Sequence, residues 1–352
     1  MISVKLFKQK DFCLLKNDWK KLENGCDMTT FQSYSWYSLI NEQYRRKSYF
    51  IPGKVVYAAA YVNGEIKMIA PLFIVRLPSV VEKYNVDNGA HILGKWGYTD
   101  YLNFIYSDFS EECFEQIVSA VRKKYRISAF NIHQILPDTS MRTYLDSKYT
   151  SSLLFEGDCV KVPVYEDFDS YYKVLSKNFR QNLRTARNRA DNDGIDIHYE
   201  LLNKISEKDA AEFFDIYCSR QRIKQSGGQT SGKNPAASAV SLFFNYKRNK
   251  YNILINTMTS LENSFILGCF SGTEKIGLCL GLEDEKGIRI PIVCFKQDFS
   301  RYSPCILCIH QFLKDSYENK TVKTFDLLKG SEQYKLNLGG EKFSIGYYKI
   351  SL

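Results

Sequence analysis

The sequence predicts a mixed α/β (α+β) fold built as two successive domains, and three observations carry that prediction. The chain has 352 residues, too many for one ordinary core. Hydrophobic residues make up 44% of it, enough to bury two cores and too many for a disordered chain. One order of elements (a strand hairpin, a further strand, a helix and a strand) can be read twice along the sequence.

In the first half, residues 55–61 are apolar and strand-like. Asn63-Gly64 follows, the dipeptide most favourable to a two-residue hairpin turn, and residues 66–75 return as a second strand. Residues 101–106 read as the next strand. A helix is predicted over 110–125, started by Ser110 with Glu111 and Glu112 behind it. Its Phe114, Ile117, Val118 and Val121 share one face. Ala129-Phe130-Asn131-Ile132-His133 is the closing strand. In the second half the strands are 265–270 and 275–282, joined at Ser271-Gly272, and then 288–295. A helix over 303–317 follows, with Pro304 at its first position. Thr324-Phe325-Asp326-Leu327-Leu328 closes the copy and places Asp326 under Asn131. Between the copies, one helix is expected over 168–190 and another over 206–225. A loop then runs from Gln225 to Gly232, ahead of a third helix over 236–246. The domains so delimited are 1–155 and 156–352.

The formal charge of +9 is a mild basic excess that favours anionic ligands without demanding nucleic acid. The ten cysteines are scattered, several within apolar runs, as expected of reduced thiols in a cytoplasmic protein. The first residues show no apolar signal-peptide core, and no apolar run is long enough to span a membrane. Cys305-Ile306-Leu307-Cys308 has metal or redox spacing but lies in an apolar helix without a second pair, so a core role is expected. His91, His133, His198 and His310 form no metal-ligand pattern, and no metal is expected. The chain has no Gly-x-Ser-x-Gly, no P-loop and no Gly-x-Gly-x-x-Gly after a strand. The missing histidine-centred triad argues against a hydrolase.

Charge and spacing single out two regions. Lys173, Lys177, Arg180, Arg184 and Arg187 are spaced by four, three, four and three, so they share one helix face. No acidic residue interrupts 173–190. Such a face suits a phosphate, a nucleic-acid backbone or an anionic membrane surface, or it pairs with acids elsewhere in the fold. The second region follows the strand 288–295. Ser303-Pro304 opens a helix whose free backbone N–H groups form a natural anion site, with Lys296 and Arg301 just upstream. The equivalent stretch of the first copy, Ser107-Asp108-Phe109-Ser110-Glu111-Glu112, is acidic and would repel a pyrophosphate. The second copy is therefore the better place for a phosphorylated ligand. Beyond it, Asp326 sits in an apolar strand, followed by Glu332, Tyr334 and Lys335. Together they offer a carboxylate base, a phenol acid and a cation. Asp100-Tyr101, after Trp96-Gly97-Tyr98, either lines a cleft or forms an ordinary turn.

Phe325-Asp326-Leu327-Leu328-Lys329-Gly330-Ser331-Glu332-Gln333-Tyr334-Lys335 resembles the closing motif of acetyltransferases associated with bacterial cellulose and envelope-polysaccharide synthesis, which belong to the GNAT superfamily. Three further stretches are similar to the same family: Thr30-Phe31-Gln32-Ser33-Tyr34-Ser35-Trp36, the run from Ser176 to Arg187, and Tyr302-Ser303-Pro304. The resemblance implies tandem GNAT folds, distantly Fem-like, with acetyl-CoA or another acyl-CoA bound at the strand-to-helix junction of the second copy. It implies Asp326, Glu332 and Tyr334 in catalysis, Lys296, Arg301, Ser303, Cys305 and Lys335 around the donor, and Asp100, Tyr101, Arg180 and Arg184 toward the acceptor. The acceptor it implies is an amine, an amino sugar of an envelope-polysaccharide precursor. This chain departs from the family in one place. Phe299-Ser300-Arg301-Tyr302-Ser303-Pro304-Cys305 carries no glycine, and Cys305 stands where glycine is common. Two alternatives remain open: a Fem-like transferase drawing on aminoacyl-tRNA, with the basic helix 173–189 against RNA, and a non-catalytic member that binds a glycan or scaffolds a complex.

Overall fold

The computed structural model describes residues 1–45, 53–75, 88–95, 99–203, 205–226 and 259–352, with no side-chain description for 221–226. It divides into two compact units, Met1–Asp158 with Phe343–Leu352, and Cys159–Lys342. The boundary beside the expected 155/156 thus lies at Asp158/Cys159, and the last ten residues return to the first unit.

In the first unit, β1 (Ile2–Lys8), β2 (Gly53–Val62), β3 (Glu65–Val75) and β4 (Gly89–Ile92) run antiparallel in that order. β5 (Ala129–Ile135) pairs parallel with β4, and β12 (Glu341–Ser351) pairs antiparallel with β5. Helices α1 (Lys16–Leu22), α2 (Tyr34–Arg45), α3 (Glu111–Tyr125) and α4 (Ser140–Lys148) accompany this sheet. Trp19, Trp36, Tyr37 and Phe114 are among the fully buried side chains beneath them. α3 forms where the sequence says it should. Ser110 accepts the N–H of Cys113, acids fill the first turn, and Arg122, Lys123 and Lys124 fill the last, which suits the helix dipole at both ends.

The second unit repeats the order. β7 (Ile197–Leu202), β8 (Ser264–Ser271), β9 (Glu274–Asp284) and β10 (Gly287–Phe295) run antiparallel; β11 (Phe325–Lys329) pairs parallel with β10; and the end of β6 (Leu153–Val162) pairs antiparallel with β11. Here the helices are α5 (Phe168–Val174), α6 (Lys177–Asn192), α7 (Glu207–Ser226), α8 (Pro304–Glu318) and the short α9 (Gln333–Asn337). One core joins Phe179 and Leu183 of α6, Cys269 and Cys279 of the hairpin, Cys305 and Leu313 of α8 and Phe325 of β11.

The repeat extends to single residues. The parallel ladder of each unit consists of two register pairs: Ala90↔Phe130 and His91↔Asn131 in the first, Ile288↔Phe325 and Arg289↔Asp326 in the second. Asn131 and Asp326, superposed from sequence, are thus the last residues held before the strands part. Each ladder is entered by a glycine that nothing else could replace. Gly89 has φ 142° and a Cβ there would meet the Ala129 carbonyl oxygen at 2.3 Å; Gly287 has φ 146° and would meet that of Thr324 at 2.4 Å.

Two expectations need correction. Residues 101–106 are not the strand that pairs with β5; β4 is, and the 101–106 segment touches the sheet through the bridge Ile69↔Ile105. Tyr101 has φ 55°, which interrupts an extended chain. The single helix expected over 168–190 is two. Leu175 is extended, and the Ser176 hydroxyl accepts the Phe179 N–H at 3.1 Å, starting α6 afresh. Lys173 therefore sits on α5, apart from the basic face of α6. The helix expected over 236–246 and most of the loop before it fall outside the described residues, as do Trp96-Gly97-Tyr98.

Candidate active site

The second unit has an opening where β10 and β11 part. Their pairing ends at Arg289↔Asp326. On its other side, β10 shifts register against β9 between Arg289 and Ile292, where Pro291 has no N–H to donate. β11 shifts against β6 between Asp326 and Lys329. Asp326 supports that second irregularity directly. Its Oδ1 accepts the N–H of Leu328 at 2.8 Å, holding Leu328 in a left-handed conformation with φ 59°. The diverging carboxyl ends of parallel strands are where open α/β sheets bind ligands.

β10 leads through a 3₁₀ turn, Gln297–Tyr302, into α8. Ser303 has φ 49° and ψ 50° and gives no side-chain cap; its carbonyl accepts the N–H groups of Ile306 and Leu307 at 3.0 and 3.1 Å. Pro304 has no N–H, so the N–H of Cys305 is the one turned to the helix entrance. The first turn of α8 contains no acid, whereas that of α3 holds Glu111 and Glu112. The charge asymmetry between the copies is thus realised at two real helix starts.

The two upstream cations are both engaged. Lys296 Nζ lies 2.7 Å from Glu274, and Arg301 Nη2 lies 3.0 Å from Asp193. Asp193 also accepts the Tyr302 hydroxyl at 2.7 Å, which ties this 3₁₀ turn to the end of α6. Arg301 remains 59% exposed and can turn outward. The Cys305 side chain plays no part at the surface. It is 1% exposed, its Sγ lies 3.1 Å from the Cys294 carbonyl, and a Cβ on Gly277 would stand 2.9 Å from that sulfur. Cysteine in place of glycine here fills core space between β9, β10 and α8. Burial pushes the neighbouring Cys269, Cys279 and Cys294 thiols up, which keeps them neutral.

The closing motif folds around Lys335, and its expected role as a donor-binding cation needs correction. Lys335 is 4% exposed. Its ammonium donates to the carbonyl oxygens of Lys329 at 2.7 Å and Gly330 at 3.2 Å and lies 2.9 Å from Glu332 Oε2. It pins the turn between β11 and α9 and has no donor left for a phosphate. Glu332 is 59% exposed and so keeps contact with solvent while anchored. Tyr334 is half-buried against the core. Burial, then Glu332, Cys279 and Cys305, raise its phenol above the usual range, so it stays protonated, and Arg220 of α7 acts weakly the other way.

The acceptor-side expectations divide. Tyr101 belongs to the first unit and is 2% exposed, packed on Phe31 with its carbonyl taking the Gln32 amide, so it is part of that core rather than a cleft wall, and Asp100 precedes it there. Arg180 lies 5.5 Å over the Tyr172 ring and Arg184 donates to Gln181. Both lie on the basic face of α6. Among the described residues no carboxylate lies within ion-pair distance of Lys177, Arg180, Arg184, Arg187 or Arg189. Sequence reasoning missed Arg220, whose guanidinium sits 3.9 Å from the centroid of Phe295, the last residue of β10. Arg220 lies in a polar helix with no motif around it, so only the fold reveals its place. Pro291 inside an apolar strand was the available sign that β10 is bulged. Among the described residues no cluster of His, Cys, Asp and Glu could hold a metal ion, and no described helix is long and apolar enough to cross a membrane.

Two parallel strands part ahead of a helix start in this unit, and the closing turn carries a protonated phenol and a carboxylate. Residues 177–336, just under half of the chain, match the model of the Acetyltransferase (GNAT) domain, and this match supports an acyltransferase. Solved structures agree on the fold. A conserved protein of unknown function from Bacteroides thetaiotaomicron VPI-5482 matches with TM-score 0.56 at 12% identity over 100% of both chains. FemX matches with TM-score 0.57 at 10% identity, over 99% of this chain and 97% of its own. Among curated protein sequences none matches.

Proposed function

We propose that the chain is an acyl-CoA-dependent N-acyltransferase whose donor lies in the opening between β10 and β11 of the second unit. The observation that carries this reading is the parting of the parallel pair after Arg289↔Asp326, in line with the acid-free start of α8. The donor supplies an acyl group already activated as a thioester; the chain's residues hold it and move protons. The N–H of Cys305 and the exposed side of Arg301 face a pyrophosphate at the helix entrance. Beyond Arg289, β10 has left its β11 partner, so backbone groups there can meet the acyl carbonyl. Glu332, solvated on one side and anchored by Lys335 on the other, accepts the proton of the attacking amine, directly or through water. Tyr334, kept protonated by burial, gives its proton to the departing thiolate. Asp326 is spent on the Leu328 N–H and acts by shaping the strand.

For the acceptor, the closing motif's likeness to the polysaccharide acetyltransferases supports an amino sugar of an envelope polysaccharide precursor. Calorimetric titration with acetyl-CoA tests the reading: saturable binding near one donor per chain is expected, and no heat with no thermal shift at millimolar ligand would sink it. The unpaired cations of α6 favour a second reading, a Fem-like transfer from aminoacyl-tRNA. In that case tRNA affinity should fall steeply with salt; absent or salt-insensitive tRNA binding removes it.

A further inference from the structure

The site described above has a shortage of available positive charge. Lys296 is paired with Glu274 and Arg301 with Asp193, and Lys335 is consumed by the closing turn. Arg220 differs from all three. It reaches from α7, which packs on β9 and β10, to place its guanidinium over the Phe295 ring, 3.9 Å from the centroid, where the strand becomes the 3₁₀ turn before α8. Among the described residues no carboxylate forms an ion pair with it. Stacking on an aromatic face fixes the plane of a guanidinium while leaving its edge of N–H donors open, which is the arrangement that grips a phosphate.

On the acyl-CoA reading given above, we propose that Arg220 is the residue that supplies the principal positive charge for the donor's pyrophosphate, replacing the close backbone approach that a glycine-rich loop would otherwise give. Its position next to the reacting end has independent support. Arg220 is an electrostatic neighbour of Tyr334 and of Cys294, opposing in both the larger effect of burial. In this chain the anion grip comes from the helix across the sheet, and the loop itself is free to be rigid and apolar.

The test compares the dissociation constants of CoA and of pantetheine, which has the same thiol arm without the nucleotide, for the full chain and its variants. Arg220→Gln should weaken CoA by about tenfold, the weight of one charge-assisted contact, and leave pantetheine unchanged, which also shows that the variant is folded. Arg220→Lys, which keeps the charge and loses the plane, should fall between. Lys296→Gln and Arg301→Gln should each cost less than Arg220→Gln. The proposal is overturned if Arg220→Gln binds CoA as the unaltered chain does, or if it loses pantetheine to the same degree as CoA. If the unaltered chain binds no CoA, the acyl-CoA reading falls and takes this one with it; if it binds and Arg220→Gln changes nothing, only the assignment of Arg220 falls.

Discussion

Replacing Lys335 by Met should show how much the closing motif depends on one buried ammonium. The side chain of Met is nearly isosteric with the aliphatic stem of Lys, so packing is kept and the charge is removed. What is lost is an ammonium at 4% exposure that donates to the carbonyl oxygens of Leu328, Lys329 and Gly330 and meets Glu332 at 2.9 Å. Leaving buried acceptors unmet costs about 1–3 kcal/mol, and breaking a buried ion pair costs about 3–5 kcal/mol. Glu332 is 59% exposed and can return to water, which places the expected loss at the lower end, about 2–3 kcal/mol. With a urea slope of about 2–3 kcal/mol/M, the transition of the second unit should move down by about 1 M. Urea unfolding followed by fluorescence measures it, with the exposed Lys177→Met as the control expected to stay within about 0.5 kcal/mol. A Lys335→Met transition indistinguishable from that control would refute the role given to Lys335 and would reopen its use as a ligand-binding cation.

Gly287→Ala should destabilise the second unit by about 3 kcal/mol, since φ 146° suits only glycine and the new Cβ would stand 2.4 Å from the Thr324 oxygen; Gly89→Ala should do the same to the first, and a neutral result in thermal unfolding would contradict the matched ladders. Tyr334→Phe should lower kcat by roughly 10²-fold or more with little change in KM; equal loss in both would point to binding instead. His310 is held down to about 4 by burial first and then by Lys314 and Arg187. The unfolded chain therefore takes up this proton before the folded one. Stability from this source is intact above about pH 6.5 and declines from there toward about pH 4. His310→Phe should flatten the pH dependence of urea midpoints in that window relative to the unaltered chain, and parallel curves would show that His310 does not titrate as described.

Local chemistry that fixes local structure was readable in the sequence. Asn63-Gly64 and Gly272 are turn residues with positive φ, and Ser110 and Pro304 start helices where their residue types predict. Even the equivalence of Asn131 and Asp326 was visible, because both follow the first residues of a short apolar strand. The misreadings come from packing. Tyr101-Leu102-Asn103-Phe104-Ile105-Tyr106 is buried throughout, so it has the composition of an inner strand, yet it lies as an irregular layer, while β4 is four residues with no β-branched run except Ile92. Cys305 is core filler, as its place in an apolar helix predicts, whereas the residue type of Lys335 points to a ligand and burial, which the linear sequence does not display, makes it a clasp. Arg220 lies 75 residues before Phe295 in the chain, and no spacing rule connects them.

The proposed site places the acyl donor in the opening between β10 and β11. Crystals soaked with acetyl-CoA would test it most directly. The thioester carbonyl is expected between β10 and β11 beyond Arg289, the pyrophosphate at the start of α8 beside Cys305, and the Tyr334 hydroxyl within hydrogen-bond reach of the sulfur. Acetyl-CoA bound anywhere else, or bound there with Tyr334 turned away from the sulfur, would contradict it.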